Sequence, residues 1–213
     1  MNIVLIGATG FVGSKVLAEA LSRGHQVTAV VRDASKLQAQ DGLTTVAGDA
    51  ADADKLAAVT KGHDAIVSAY NGPRGTPEFA QRYIAGTRAV IAAAKQSGVS
   101  RVLWVGGAGS LFVAPGVQLV DTPQFPEEYR VEARTARDAL NIFRDETQLA
   151  WSFVSPAPLL VPGQRTGSFR LGGDQVLMDG DKPGSISVDD LAVAIVDELE
   201  KSAHVRQRFT LAY

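Results

Sequence analysis

The chain reads Gly7-Ala8-Thr9-Gly10-Phe11-Val12-Gly13 directly after a short apolar run at residues 3–6. The run predicts a buried parallel strand, and the residues after the glycines predict a helix. In that context Gly7 allows a tight turn, Gly10 lets a pyrophosphate approach the backbone, and Gly13 lets the helix lie close to the strand. The first N–H groups of the helix are free donors at the positive end of its dipole. The stretch predicts a phosphate cradle; the alternative is a glycine-rich turn without a ligand.

The composition is typical of a soluble globular protein. Of the 213 residues, 46% are hydrophobic and 21% are charged, which suits one sizeable α/β domain with its own core. The formal net charge of -2 gives no footprint for nucleic acid. Cysteine is absent, which excludes thiolate chemistry and fits a cytoplasmic protein. We expect no membrane span and no signal peptide, because apolar stretches are short and Met1-Asn2 leads directly into a strand.

Predicted strands and helices alternate along the rest of the chain. Strands are predicted at residues 26–31, 43–46, 65–69, 101–105 and 151–154, and helices at residues 52–60, 77–96 and 127–144. This alternation predicts a doubly wound parallel sheet, a Rossmann fold, formed by residues 1–213 as a single domain. Residues 156–184 are expected to form a substrate-side loop and hairpin within that domain. Its strands would be 168–171 and 175–178, turning at Gly172-Gly173.

Three stretches resemble the short-chain dehydrogenase/reductase superfamily. Residues 7–13 look like the GATGxxG signature of its extended and atypical members, residues 86–102 are similar to a helix and the fifth strand of those proteins, and residues 186–192 resemble a late segment beside their active cleft. The short chain resembles the NmrA-like and biliverdin-IXβ/flavin-reductase-like NAD(P)H-binding proteins. The resemblance implies a bound NAD(P)H. The cofactor contacts carried over from the signature are Gly7, Thr9, Gly10, Phe11, Val12 and Gly13.

The end of the second predicted strand bears on the choice of cofactor. In dinucleotide-binding folds an acidic residue about twenty positions after the glycines binds the ribose 2′-hydroxyl and favours NAD. Here Arg32 ends the strand, Asp33 follows one position late, and Lys36 could add positive charge. A guanidinium pairs with a 2′-phosphate through two parallel hydrogen bonds, whereas a carboxylate would repel it. The sequence therefore favours NADP(H) over NAD(H), unless Arg32 is a solvated loop residue and Asp33 only a helix N-cap.

The resemblance carries over two further positions. Asp49 follows the third predicted strand, where related proteins place an Asp against the adenine amino group; a carboxylate can accept from that amine, and a simple turn Asp is the alternative. Ala69 and Tyr70 follow the fourth strand, where relatives often carry Asn-Ala-Gly beside the cofactor ribose. Ala69 matches this pattern. Tyr70 is expected either to wall the nicotinamide pocket or to belong to the core.

The usual catalytic residues of the superfamily are incomplete. Its members commonly use a Ser or Thr and a Tyr-x-x-x-Lys motif, in which the lysine helps the tyrosine exchange a proton with a carbonyl. The best-placed tyrosine is Tyr129, but Ala133 occupies the lysine position. The serine position falls on Gly or Ala unless Ser110 substitutes from a shifted register. Tyr129 and Ser110 are therefore the candidate catalytic residues, although Tyr129 could equally be a packing residue in a first helical turn.

The absent lysine favours an acceptor that needs no proton donor from the protein. Hydride can pass from a nicotinamide to an electron-poor ring such as a flavin or quinone, while the proton comes from solvent. We expect an NAD(P)H-dependent oxidoreductase with a small-molecule acceptor; the alternative is a non-catalytic NAD(P)-binding sensor of the NmrA type. The missing motif disfavours a nucleotide-sugar epimerase. Loops at residues 109–118, 155–160 and 165–178 are expected to wall the substrate, because such sheets bind ligands at their carboxyl ends.

Structural roles are expected for the remaining polar residues. The three histidines lack metal-ligand spacing, so no metal is expected, and His25 should cap carbonyls at a helix end. The acidic residues at 189–190 and 197–200 predict a solvated helix face. Ser187 is the expected N-cap of that helix, with Asp190 as its capping-box partner.

Overall fold

An eight-stranded sheet forms the centre of the structure, a computed structural model that describes residues 1–213. The strands are β1 (Asn2–Ile6), β2 (Gln26–Val31), β3 (Leu43–Ala47), β4 (Ala65–Ser68), β5 (Arg101–Val105), β6 (Ala150–Pro156), β7 (Arg170–Gly172) and β8 (Gln207–Ala212). Their order across the sheet is β3-β2-β1-β4-β5-β6-β8-β7, and β7 alone runs antiparallel to its neighbour. The strand order reverses between β1 and β4, which is where open α/β sheets bind ligands.

Helices cover both faces of the sheet. One face carries α1 (Phe11–Ser22) and α5 (Val188–Lys201), and the other carries α2 (Ala53–Thr60), α3 (Phe79–Ser97) and α4 (Glu127–Arg144). Successive side chains of a strand point to opposite faces, so both faces of a buried strand must be apolar. In β1, Ile3 packs under α1 and α5, while Val4 packs under the other helices. The predicted doubly wound parallel sheet is confirmed.

Local signals at the chain turns act as the sequence predicts. Gly24 and Gly98 have φ values of 78°, a left-handed conformation that ends α1 and α3 without the strain a side chain would bring. The Asp52 side chain accepts a hydrogen bond from the Lys55 N–H at 3.0 Å and so caps α2. Helix α3 begins two residues later than predicted, because the backbone before Phe79 forms a turn closed by its bond to Thr76.

The predicted hairpin in residues 168–178 is wrong. Strand β7 does not pair with residues 175–178; Arg170 pairs with Ala212 and Gly172 with Thr210, so β7 extends the main sheet. The hairpin in this region instead joins Met178–Asp179 to Lys182–Pro183. Strand β8 was not predicted from sequence. Its free edge pairs with β7, which explains why β7 joins the main sheet.

The predicted solvated acidic face of α5 is also wrong in part. Asp190 is fully buried and accepts hydrogen bonds from the backbone N–H groups of Thr166 and Gly167 and from the Tyr213 hydroxyl. Ser187 caps the helix as predicted, since its Oγ accepts from the Asp190 N–H at 2.9 Å. The Asp190 carboxylate, however, holds the 166–167 backbone and does not return to Ser187, so only half of a capping box forms.

His25 does not cap carbonyls. Its Nε2 lies 2.9 Å from an oxygen of Glu200 on α5. The histidine therefore links the start of β2 to α5 through a side-chain contact, which the local sequence around the helix end could not indicate.

Glu198 on α5 forms a buried ion pair and joins three elements and the turn that follows α5. Its carboxylate accepts from Arg101 of β5 and from Ser152 of β6, each at 2.8 Å, and from His204 Nδ1 at 2.7 Å. Burial alone would raise the pKa of this carboxyl, but the hydrogen bonds from His204 and Ser152 and the charge of Arg101 outweigh burial and lower it. The ionised carboxylate is therefore part of the folded state.

Replacing the buried carboxylate by an amide should destabilise the fold. Glu198→Gln leaves the buried Arg101 without its counter-charge, and such losses cost about 3 kcal/mol. Because the pKa of Glu198 is lowered on folding, its stabilisation is present at neutral pH and is lost as the pH falls through the folded-state pKa. Urea unfolding should show a large difference from wild type at neutral pH and a smaller one in acid.

Glu127→Gln is the matched control. Glu127 also pairs with an arginine, Arg130, but its side chain is 83% exposed, so the loss should stay below about 1 kcal/mol. Equal losses in the two variants, or a Glu198→Gln loss that does not shrink in acid, would contradict the assignment.

Candidate functional site

The glycine turn after β1 has the geometry expected of a phosphate cradle. Gly7 has a φ of 86°, and a Cβ at this position would lie 2.8 Å from the Ala69 carbonyl oxygen. A Cβ at Gly13 would lie 2.1 Å from the Gly7 carbonyl oxygen, which no side chain could tolerate. Gly7 and Gly13 therefore let β1, β4 and α1 meet at one point, as the sequence predicts.

Gly10 and the start of α1 face outward from this turn. Gly10 is the N-cap of α1, and the first turn of the helix has neither a side-chain cap nor an acidic residue. A Cβ at Gly10 would approach one protein atom, the Gly7 carbonyl oxygen at 3.3 Å, so its other side is open. Of the signature side chains, Phe11 is half exposed while Val12 packs toward the core. Uncapped N–H donors at the positive end of a helix dipole suit an anion.

A cleft of about 310 Å³ lies at the carboxyl ends of the first four strands. The sequence-predicted cofactor residues that line it are Gly7, Thr9, Gly10, Arg32, Asp49, Ala69 and Tyr70. The fold thus brings together residues that are up to 63 positions apart in the chain. Arg82 and Gly72 also line the cleft and were not predicted from sequence. Because α3 follows β4, its first turns border this edge of the sheet, and that connection is the signal that could have drawn attention to Arg82.

Arg32 and Asp33 have different surroundings. Arg32 is exposed, lines the cleft and forms no ion pair within the protein. The Asp33 carboxylate accepts from the Ser35 N–H at 3.1 Å and from the Ser35 hydroxyl at 2.6 Å, capping a short 3₁₀ turn, Ala34–Lys36. These hydrogen bonds lower the pKa of Asp33. Asp33 is therefore a local cap, and Arg32 is the unpaired charge at the end of β2.

Asp49 is held at the cleft by two contacts. One carboxylate oxygen accepts from the Ala51 N–H at 2.9 Å, and the other pairs with an Nη of Arg82 at 2.8 Å. Asp49 thus forms the expected turn and also lines the cleft, while its contact with an adenine amino group stays a prediction. Its pairing with a cation from α3 was not foreseen.

Tyr70 lies at the same end of the cleft as Asp49 and Arg82. Its ring sits over Gly86, where a Cβ would lie 2.6 Å from a ring carbon, and stacks on Tyr83 with ring centroids 6.2 Å apart. Burial raises the pKa of the Tyr70 phenol, and the charges of Arg82, Asp49 and Arg32 all act on it. Tyr70 is therefore an aromatic wall of the cleft close to Asp49 and Arg82, and its expected place beside the nicotinamide stays a prediction.

Neither candidate catalytic residue lines the cleft. Ser110 is 2% exposed, and its hydroxyl accepts a hydrogen bond from the buried Arg208 at 3.2 Å. Tyr129 is 50% exposed in the first turn of α4. Its neighbour Arg74 pairs with Glu132 at 2.8 Å, which ties the loop after β4 to α4. Ser110 therefore contributes to packing, and Tyr129 is the only one of the two that solvent or a substrate can reach.

The position of the missing lysine packs against a neighbouring turn. A Cβ at Gly109 would lie 2.6 Å from the Ala133 Cβ, because the 3₁₀ turn Ala108–Ser110 rests directly on α4. Ala133 therefore contacts the backbone of this turn, and no lysine lies one helical turn after Tyr129.

Two of the segments expected to wall a substrate, residues 109–118 and 165–178, are joined to one another, whereas residues 159–161 pair with residues 185–187. Phe112 donates its N–H to the Asp174 carbonyl at 2.8 Å and accepts from the Val176 N–H at 2.9 Å. Arg165 turns away from this group and forms two hydrogen bonds, at 2.8 and 2.9 Å, with Glu19 on α1. Residues 112–118 and 174–176 therefore form one unit over the β6-β8-β7 side of the sheet.

The sequence pattern of a family described as NAD(P)H-binding matches residues 7–202. The match covers most of the chain, so this protein belongs to that NAD(P)H-binding family. No helix in the structure combines the length and apolar character needed to cross a bilayer.

Particular relatives extend over the full chain. The protein YwnB of Bacillus subtilis (strain 168), described as uncharacterized, is 41% identical over 99% of this chain and 98% of its own. A solved structure from Bacteroides thetaiotaomicron described as a "putative epimerase" is 42% identical, with a TM-score of 0.91 and coverage of 100% and 96%. Another, from Streptococcus pneumoniae TIGR4, described as a "putative NADH-flavin reductase", is 34% identical with a TM-score of 0.85 and coverage of 100% and 99%.

The cleft residues fit the cofactor of this family. The uncapped start of α1 and the open side of Gly10 suit a pyrophosphate, and the unpaired Arg32 suits a further anionic group near β2. The apolar side chains of Val30 and Val31 and the ring of Tyr70 supply surface for a planar base.

Replacing Gly10 should remove cofactor binding. Gly10→Val fills the open side of the cradle, so a pyrophosphate can no longer approach the backbone. Titration calorimetry with NADPH should show binding to wild type and none to Gly10→Val, with thermal unfolding confirming that the variant folds. Gly173→Val is the matched control, because Gly173 has no atom within 4 Å of its Cβ position and lies outside the cleft. Unchanged NADPH affinity in Gly10→Val would contradict the site.

Proposed function

We propose that this protein is an NADPH-dependent oxidoreductase that reduces a flavin, a quinone or a similar planar acceptor. The observation that carries the acceptor class is Ala133, which stands packed against Gly109 where a protein-bound proton relay would need a lysine. The description of the Streptococcus pneumoniae structure as a flavin reductase supports the same class. We also propose that residues 1–213 work as one domain, with residues 156–184 on the substrate side. A cytoplasmic location stays a prediction.

The chain's part in this reaction is to bind and to orient. When bound, reduced nicotinamide supplies the hydride, which is chemistry that belongs to the cofactor. The start of α1 holds the pyrophosphate, and Arg32 holds the 2′-phosphate. An electron-poor ring takes the hydride without a protein acid, because the accompanying proton can come from solvent. The buried Ser110 is not assigned a role in this step, and Tyr129 at most orients the acceptor.

A non-catalytic NAD(P) sensor remains the second candidate. It would use the same cradle and would bind the cofactor without turnover. The epimerase description of the Bacteroides thetaiotaomicron structure names a third chemistry. In sugar nucleotides that chemistry commonly relies on the tyrosine–lysine pair, and the packing of Ala133 against Gly109 argues against it here.

Reversing the charge at position 32 should change the cofactor preference. Arg32→Asp removes the partner of the 2′-phosphate and places a carboxylate beside it, while a carboxylate can accept from the 2′-hydroxyl of NADH. NADPH affinity should fall roughly ten- to a hundredfold, and NADH affinity should be kept or improved. Titrations of both cofactors measure this. Arg88→Asp, on an exposed position of α3 outside the cleft, is the control. A wild-type protein that binds NADH as tightly as NADPH would refute the role of Arg32.

Turnover should be tested with NADPH and a panel of FMN, riboflavin and quinones, following loss of nicotinamide absorbance. We expect acceptor-dependent oxidation, and Tyr129→Phe should lower kcat/KM by no more than about tenfold, because the tyrosine donates no proton. A proton-donating tyrosine should cost on the order of a hundredfold or more. A loss of that size with NADPH affinity intact would favour carbonyl reduction, and NADPH binding without turnover of any acceptor would favour the sensor.

A further inference from the structure

We infer that Arg82, which lines the cleft together with Arg32 and Asp49, is a second determinant of cofactor specificity. Its role is to cancel the charge of Asp49, so that the site accepts a 2′-phosphate. This inference rests on the proposed binding of NADPH in the cleft. Arg82 lies outside the glycine signature and outside the strand-end position that usually sets the preference between NAD and NADP.

Two contacts orient the Asp49 carboxylate at the cleft. The Ala51 N–H holds one of its oxygens at 2.9 Å, and the Arg82 guanidinium holds the other at 2.8 Å. The two contacts come from different elements, the turn after β3 and the first half of α3. The carboxylate is therefore fixed at the cleft surface, where an incoming phosphate meets its charge.

Arg82 determines the net charge that a 2′-phosphate meets in the cleft. The charged side chains that line it are Arg32, Asp49 and Arg82. With Arg82 present, the carboxylate is paired and the unpaired cation is Arg32. Without Arg82, the charge of Asp49 offsets that of Arg32, and a dianionic 2′-phosphate meets a site with no net positive charge. Both partners are partly exposed, so the effect is screened but not removed.

Helix α3 also fixes the backbone of Arg82 beside the cleft. Arg82 precedes Tyr83, which is fully buried, and the Tyr70 hydroxyl donates to the Arg82 carbonyl at 3.4 Å. A single Nη of Arg82 is used by Asp49, and its other N–H groups have no partner within the protein. The residue is thus positioned to pair with Asp49 without being needed for the packing of α3.

The test compares the ratio of NADPH to NADH affinity in wild type, Arg82→Met and the double variant Arg82→Met/Asp49→Asn. Titration calorimetry supplies each affinity. We expect Arg82→Met to lower the ratio by roughly tenfold, mainly through weaker NADPH binding. Removing the now unpaired carboxylate in the double variant should return the ratio to within about threefold of wild type, by the same electrostatic argument. Arg88→Met, on the same helix but outside the cleft, should leave the ratio unchanged.

The other outcomes separate this inference from the proposed function. An Arg82→Met ratio equal to that of wild type would overturn the role of Arg82. A ratio that stays low in the double variant would overturn charge cancellation in favour of direct contact with the phosphate. Wild-type protein that binds neither cofactor would instead refute the proposed function itself. Loss of an adenine contact in Asp49→Asn weakens the binding of NADPH and NADH equally, so it cancels in the ratio of their affinities.

Discussion

The close contact between Gly7 and Gly13 is the constraint on which the rest of the site depends. With only 2.1 Å between the Gly7 carbonyl oxygen and a Cβ placed at Gly13, α1 can begin here only if position 13 has no side chain. Position 7 must also be glycine, because its φ is 86° and a Cβ there would lie 2.8 Å from the Ala69 carbonyl oxygen. These contacts bring the uncapped start of α1 to the ends of β1 and β4, where the strand order reverses. The two glycines thus set the place of the helix start relative to the open edge of the sheet.

A second close contact joins the turn after β5 to α4. The 3₁₀ turn rests on this helix through Gly109 and Ala133, two small residues 24 positions apart. Tyr129 lies at the exposed start of the same helix and has no cationic side chain one turn away on its face. This absence is the basis of the proposal that the acceptor takes its proton from solvent.

Two buried carboxylates on α5 are held by donors from other segments of the chain. Glu198 and Asp190 lie on α5, a helix whose acidic residues suggest exposure when the sequence is considered alone. Periodicity cannot reveal that Arg101 and Ser152 approach from the starts of two strands, or that Tyr213 and residues 166–167 close over Asp190. A carboxylate is buried only where donors from distant segments converge on it, and that convergence is a property of the folded chain.

Three features follow from local sequence patterns: the alternating strands and helices, the turn of Gly7, Gly10 and Gly13, and the cation Arg32 at the end of β2. These features depend on local geometry: the period of apolar residues, the left-handed turn, and the position of a residue at a strand end. Three other features are visible only in the folded chain: Arg82 pairs with Asp49, Ser110 is buried against Arg208, and β7 joins β8. Each of these is a contact between segments far apart in the chain, and its partner is selected by the way layers pack, which no local pattern records.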